Sequence, residues 1–257
     1  MFRRELIINL KGFIIWALVF VVTFAFVFAM YPSIIESGGE EIDQMLQSFP
    51  KEMLEAMNMT SNSTAFGWVS SEGMIMVILG VSIYSSMLGI NAVYREKKDK
   101  TIEYLATKPV TTGKIMTKKV LADICLIVAL TVIIAITIMI GLACTEDLDV
   151  KLTLLMTLTP ILVYLPFYFL SLFLSVAFKG NAGLAMGIPF IMYVVLIISK
   201  LADFLEKLKY INPYTLSDTA YIVKNGEIGV ENIIISLVLS ATLFAGAYWM
   251  YGKKEMV

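Results

Sequence analysis

The sequence contains no histidine and only two cysteines, and 16% of its 257 residues are charged. Each scarcity closes a class of chemistry. Without histidine there is no His-activated nucleophile, no His-containing zinc motif and no histidine proton relay. Cys125 and Cys144 fall at opposite ends of one predicted helix, about 28 Å apart by helical rise, too far for a disulfide. No Gly-x-x-x-x-Gly-Lys-Ser/Thr phosphate cradle occurs: Gly113-Lys114-Ile115 is the nearest fragment, and it lacks the loop glycines and the hydroxyl residue. This chain therefore cannot hydrolyse ATP alone, and no catalytic, metal-binding or cofactor-binding residue is assigned to it. The formal net charge of -1 suggests neither nucleic acid nor an acidic partner.

What is abundant is apolar. The composition is 58% hydrophobic with a mean hydropathy of +0.81, whereas a soluble domain carries roughly a quarter charged residues. The apolar residues come in runs of about 20, long enough to cross a hydrocarbon core of about 30 Å as helices. The reading is an all-α integral membrane protein, one permease domain over 1–257, with six spans near 13–31, 68–94, 120–144, 152–178, 182–199 and 232–251. The first run is too long for a signal-peptide core and lacks a small-residue cleavage site, so it reads as a retained span. Between the first two spans, residues 40–57 carry Ile42, Met45, Leu46, Phe49, Met53, Leu54 and Met57 near helical spacing. They predict short amphipathic surface helices broken at Pro50. Asn58 and Asn62 head formal glycosylation sequons there, for which chance is the default explanation.

Basic residues orient the chain, because translocation retains them in the cytoplasm. With the N-terminus inside, fourteen Lys and Arg fall on the inner side and six on the outer, which predicts both termini cytoplasmic. Trp68, Tyr248, Trp249 and Tyr251 fall at predicted interfaces. The middles of the spans carry no Asp, Glu, Lys or Arg, so ion coupling lacks its usual groups. Glu72 lies near the outer end of the second span, and Asp123 reads as a capping anion in the first turn of the third. Active work would need a separate ATPase on the cytoplasmic face.

The stretch between the second and third spans suits such docking. Thr101 can cap a short helix that Pro109 must end, and Thr111 and Thr112 can cap the helix continuing through Lys114 into the third span. Ile102, Tyr104 and Leu105 make an apolar tooth ringed by charge, like a small interface core with a polar rim. Holding topology and binding anionic lipid would also use these charges. Glu96-Lys97, Thr101, Glu103, Leu105 and Pro109-Val110, at this spacing and followed by Lys114 and Lys119, resemble the linking element of the ABC transporter type-2 permease family. The resemblance extends to the outer segment around Phe49-Pro50, to Asn212-Pro213-Tyr214 and to the Lys-Lys-Glu terminus. Lys100 departs from it where glycine is common, as does Thr111-Thr112 where Ser-Arg is frequent.

The resemblance implies a coupling elbow comprising Glu96, Thr101, Ile102, Glu103, Tyr104, Leu105, Pro109, Val110 and Lys114. It implies a partner ABC ATPase holding ATP and magnesium, and a second permease copy or sister permease. It implies a re-entrant outer hairpin before the sixth span, in the cytoplasmic membrane of a prokaryote. The expected activity is export of a hydrophobic, peptide-like or lipid-linked substrate; the alternative is an ATP-independent facilitator or assembly scaffold. Small residues Ser82, Ser86 and Gly89, and the pair Gly183 and Gly187, predict close helix packing within the chain or across a dimer. Pro160, Pro166 and Pro189 predict bends or freed carbonyls.

Overall fold

A computed structural model describes residues 2–36, 64–98, 112–177, 182–201 and 212–254. The predicted amphipathic segment 40–57 lies outside them. In lipid, every backbone N–H and C=O must find a partner within the protein, so the apolar runs become helices. These are α1 (Phe2–Glu36), α2 (Ala65–Trp68), a π-helical turn (Val69–Gly73), α3 (Met74–Lys98) and α4 (Thr112–Cys144). There follow α5 (Val150–Leu158), α6 (Ile161–Ala177), α7 (Ala182–Leu201), a 3-10 turn (Pro213–Leu216), α8 (Thr219–Asn225) and α9 (Val230–Lys254).

Among the described residues five helical stretches are long and apolar enough to cross a membrane: Phe2–Pro32, Ala65–Arg95, Gly113–Cys144, Val150–Ala177 and Val230–Gly252. The predicted fifth span corresponds to α7, whose apolar part, Gly187–Ser199, is shorter. The result is an all-α, multi-spanning bundle. Its centre is the contact of α3 with α6; α9 packs on α6, α7 on α3, and α1 on α4. Asn9 of α1 meets Arg95 of α3, and Gly113 of α4 meets Tyr248 of α9. The start of α1 and the close of α9 therefore share one end of the bundle, called here the terminal end.

Small residues set the spacing. A methyl group on Gly89 would overlap the Tyr168 carbonyl oxygen and lie 3.0 Å from the Leu172 nitrogen, so α3 and α6 touch backbone to backbone. Helix α1 docks by aromatic teeth four residues apart: Phe20 covers Gly80, Phe24 covers Gly73, and Phe28 covers Gly141. That spacing puts all three rings on one face. The Gly183–Gly187 pair behaves otherwise. Gly183 is exposed, and a methyl on Gly187 would meet nothing within 4 Å, so neither glycine mediates a close approach among the described residues.

The prolines have local answers. Pro166, lacking an N–H, leaves the Leu162 carbonyl without its helical donor; the Ser236 hydroxyl of α9 donates to that oxygen at 2.7 Å. Thr159-Pro160 divides the fourth span into α5 and α6. Ser236→Ala is expected to lower stability by about 1 kcal/mol, read by unfolding in mixed detergent micelles, since one buried interhelical hydrogen bond is lost. Acidic residues predicted as a short turn act as caps at the opposite end: Asp149 accepts from Leu152 N at 2.9 Å, opening α5, and Asp147 accepts from Ala65 N at 2.8 Å, tying that turn to α2.

Candidate coupling site

Of the residues predicted to engage an ATPase, Thr101, Ile102, Glu103, Tyr104, Leu105, Pro109 and Val110 lie outside the described residues. Glu96 sits in the last turn of α3, and Lys114 is exposed in the first turn of α4. These helix ends carry the connection between them, and the structure gathers polar side chains at its base.

At the centre is Asp123, 2% exposed. Its Oδ1 accepts a hydrogen bond from the Asn9 amide at 2.8 Å, and its Oδ2 accepts one from the Tyr168 hydroxyl at 3.0 Å. Asn9 is also an acceptor, its Oδ1 taking a bond from the Arg95 guanidinium at 3.1 Å. One amide thus links a carboxylate on α4 to a cation on α3. One turn before Asp123, the buried Lys119 ammonium donates to the Ala92 carbonyl of α3 at 2.6 Å. Arg95, Lys119 and Glu5 all lie within electrostatic reach of Asp123. A buried carboxyl group needs hydrogen-bond partners, and this one has two.

The clamp joins four helices: α1 through Asn9, α3 through Arg95 and Ala92, α4 through Lys119 and Asp123, and α6 through Tyr168. It also grips both ends of the 99–111 connection, with Arg95 on the entering helix and Lys119 on the departing one. The expected capping role of Asp123 is corrected. Helix α4 starts at Thr112, eleven residues earlier, which places Asp123 about 16 Å along the helix and beyond the reach of an N-terminal dipole. Two polar positions marked the site: Asn9 interrupts an apolar run, and Lys119 precedes Asp123 by one turn.

Across residues 1–256 the chain matches the family described as ABC-2 family transporter protein. It belongs to that family. Neither the curated proteins nor the solved structures offer a match. The clamp is thus part of a membrane-embedded ABC-2 permease subunit. Among the described residues of this permease, no group of three or more His, Cys, Asp or Glu side chains is placed to hold a metal ion.

Proposed function

We propose that this ABC-2 permease exports a hydrophobic, peptide-like or lipid-linked molecule, driven by an ATPase subunit that docks on the connection between α3 and α4. The ATPase holds the ATP and magnesium, and a second permease copy or sister permease completes the pathway. The terminal end faces the cytoplasm of a prokaryotic cell, in agreement with the basic residues concentrated there. The observation that carries the reading is the clamp. A docked ATPase can pull on four helices together only if both ends of its docking element are tied to them, and Arg95 and Lys119 provide the two ties.

The re-entrant hairpin is part of the proposal. Asn212 donates from its amide to the Met192 carbonyl at 2.6 Å, and the Tyr214 hydroxyl donates to the Pro189 carbonyl at 3.2 Å, so the 3-10 turn lies against the side of α7. Phe167 of α6 packs on the Tyr214 ring with centroids 4.9 Å apart. These contacts support a segment that returns into the outer leaflet.

Reversing the charge at Glu103 or placing an aspartate at Leu105 tests the docking. Either variant is expected to reduce the co-purifying ATPase at least tenfold while the permease still inserts and elutes as a single species. Undiminished co-purification together with unchanged stimulated hydrolysis rejects the docking site. Failure of the wild-type chain to recover any ATPase favours a facilitator or scaffold.

A further inference from the structure

Among the described residues the long helices fall into two sets. Helix α6 holds α3 and α9, and α3 holds α7, whereas α1 packs chiefly on α4. The α1–α4 pair is fastened along its length: Asn9 bonds Asp123 near one end, and Phe28 covers Gly141 near the other. Toward the remaining helices its grip is uneven. At the clamp three hydrogen bonds cross over, from Arg95 to Asn9, from Lys119 to the Ala92 carbonyl and from Tyr168 to Asp123. Beyond the clamp, α1 meets α3 through rings: Trp16 lies near Tyr84 with centroids 6.0 Å apart, and Phe20 and Phe24 cover Gly80 and Gly73. Rings over glycines can slide, whereas the backbone contact at Gly89 cannot.

At the opposite end Asp147 ties the pair to α2, its Oδ2 accepting from Ala65 N at 2.8 Å. Thr64 already caps α2 in the usual way, accepting from Gly67 N at 2.9 Å, so the bond to Asp147 is an added tie. Asp147 is fixed to the close of α4: the Glu146 N–H donates to the Ala143 carbonyl and the Asp147 N–H to the Leu142 carbonyl. That pairing ends a helix with one residue at positive φ, usually glycine, and here Glu146 takes the place at 60°. Such strain recurs at switch regions. From Asp123 to the close of α4 is a lever of about 30 Å, so a swing of about 10° at the clamp moves the tip about 5 Å. A hydrogen bond does not survive that displacement.

We propose that the α1–α4 pair swings as one body about the clamp, and that the bond between Asp147 and Ala65 is the latch that holds it closed. Release opens the seam between α2 and the close of α4, at the end away from the docking connection. The device rests on the permease reading and adds a moving part to it.

The test measures distances between spin labels on the full chain in lipid nanodiscs. Cys125→Ser leaves Cys144, exposed at the close of α4, as one label site. Met76→Cys on α3 and Met30→Cys on α1, both at exposed positions, supply the second site in two separate proteins. Each is diluted into an excess of unlabelled, cysteine-free chain to remove distances between copies. Adding Asp147→Ala is expected to lengthen the distance from residue 76 to residue 144 by about 5 Å in part of the population, the reach of the lever. The distance from residue 30 to residue 144 should not change. Ala65→Pro removes the donor at the first position of a helix, where proline fits, and should lengthen the same distance. The proposal is overturned if either variant leaves both distances as in the wild type, or if both distances lengthen alike. Should the proline variant fail to insert, Asp147→Ala decides alone. In each overturning case an ATPase that co-purifies with the wild type leaves the permease reading standing; a wild type that recovers none counts against that reading and leaves the measured distances as they are.

Discussion

Replacing Asp123 with alanine is expected to lower the stability of the permease by about 2 kcal/mol, the order seen when a buried donor is left without its acceptor. The Asn9 amide and the Tyr168 hydroxyl would each lose their acceptor. A single hydrogen bond between membrane helices contributes less, about 0.6 kcal/mol on average. The expected size therefore comes from stranding the fully buried Tyr168 hydroxyl rather than from the two bonds alone. Asp123→Asn, which keeps an acceptor but not the charge, should cost about 1 kcal/mol, as should Tyr168→Phe. Because the two groups touch, the double variant should depart from additivity by 0.5 kcal/mol or more. Unfolding in mixed detergent micelles measures all four proteins. An alanine variant within 0.5 kcal/mol of wild type would show that the clamp holds nothing together.

Gly89→Val should be nearly as damaging for a different reason. The atoms it would strike, the Tyr168 carbonyl oxygen and the Leu172 nitrogen, belong to the backbone of α6 and cannot rotate away. The two central helices must separate, at a cost of about 1–3 kcal/mol for forced overpacking. Gly187→Ala is the contrasting variant. Open space surrounds that position, and alanine improves a helix interior by up to about 1 kcal/mol. The pair should move the unfolding midpoint in opposite directions. If Gly89→Val unfolds with the wild type, the contact of α3 with α6 is looser than its geometry implies.

How far the sequence could be read depends on which signal each feature leaves. Long apolar runs are unambiguous, so the helical class and most spans could be read directly; the weaker span was the one that proline and glycine interrupt, at Gly187 and Pro189. The helix entry at Thr111-Thr112 was legible, and α4 does begin at Thr112 and carry Lys114 and Lys118 along as helix. Reading Asp123 against the start of apolar content at Val120, instead of against that entry, hid the clamp by making Asp123 look like an end cap. Gly89 was recognisable as a packing residue because small side chains recur at helical spacing around it. Gly183 and Gly187 have the same signature without a contact among the described residues, since a motif of glycines marks a face and not what lies against that face. The pairing of Asn9 with Asp123 joins residues separated by 114 positions, which no local pattern encodes.

The aromatic teeth of α1 bear on how the protein is made. Among the five long spans α1 is made before the other four and is also the least enclosed, with 11% of its most apolar stretch buried against 61% for the second and fourth. Its rings fit glycines that do not yet exist when it enters the bilayer: Gly73 and Gly80 arrive with the next span, Gly141 and Asp123 with the one after. Until each glycine arrives the ring that fits it stays uncovered, Phe20 and Phe24 until the second span and Phe28 until the third, with the Asn9 amide unmatched until Asp123 follows. The docking of α1 is thus a late step of biogenesis, complete only once the third span has been inserted. A nascent chain halted before Gly141 should leave a cysteine placed at Phe28 open to lipid-soluble labels, and one halted after it should protect that position while the outward Phe26 stays labelled.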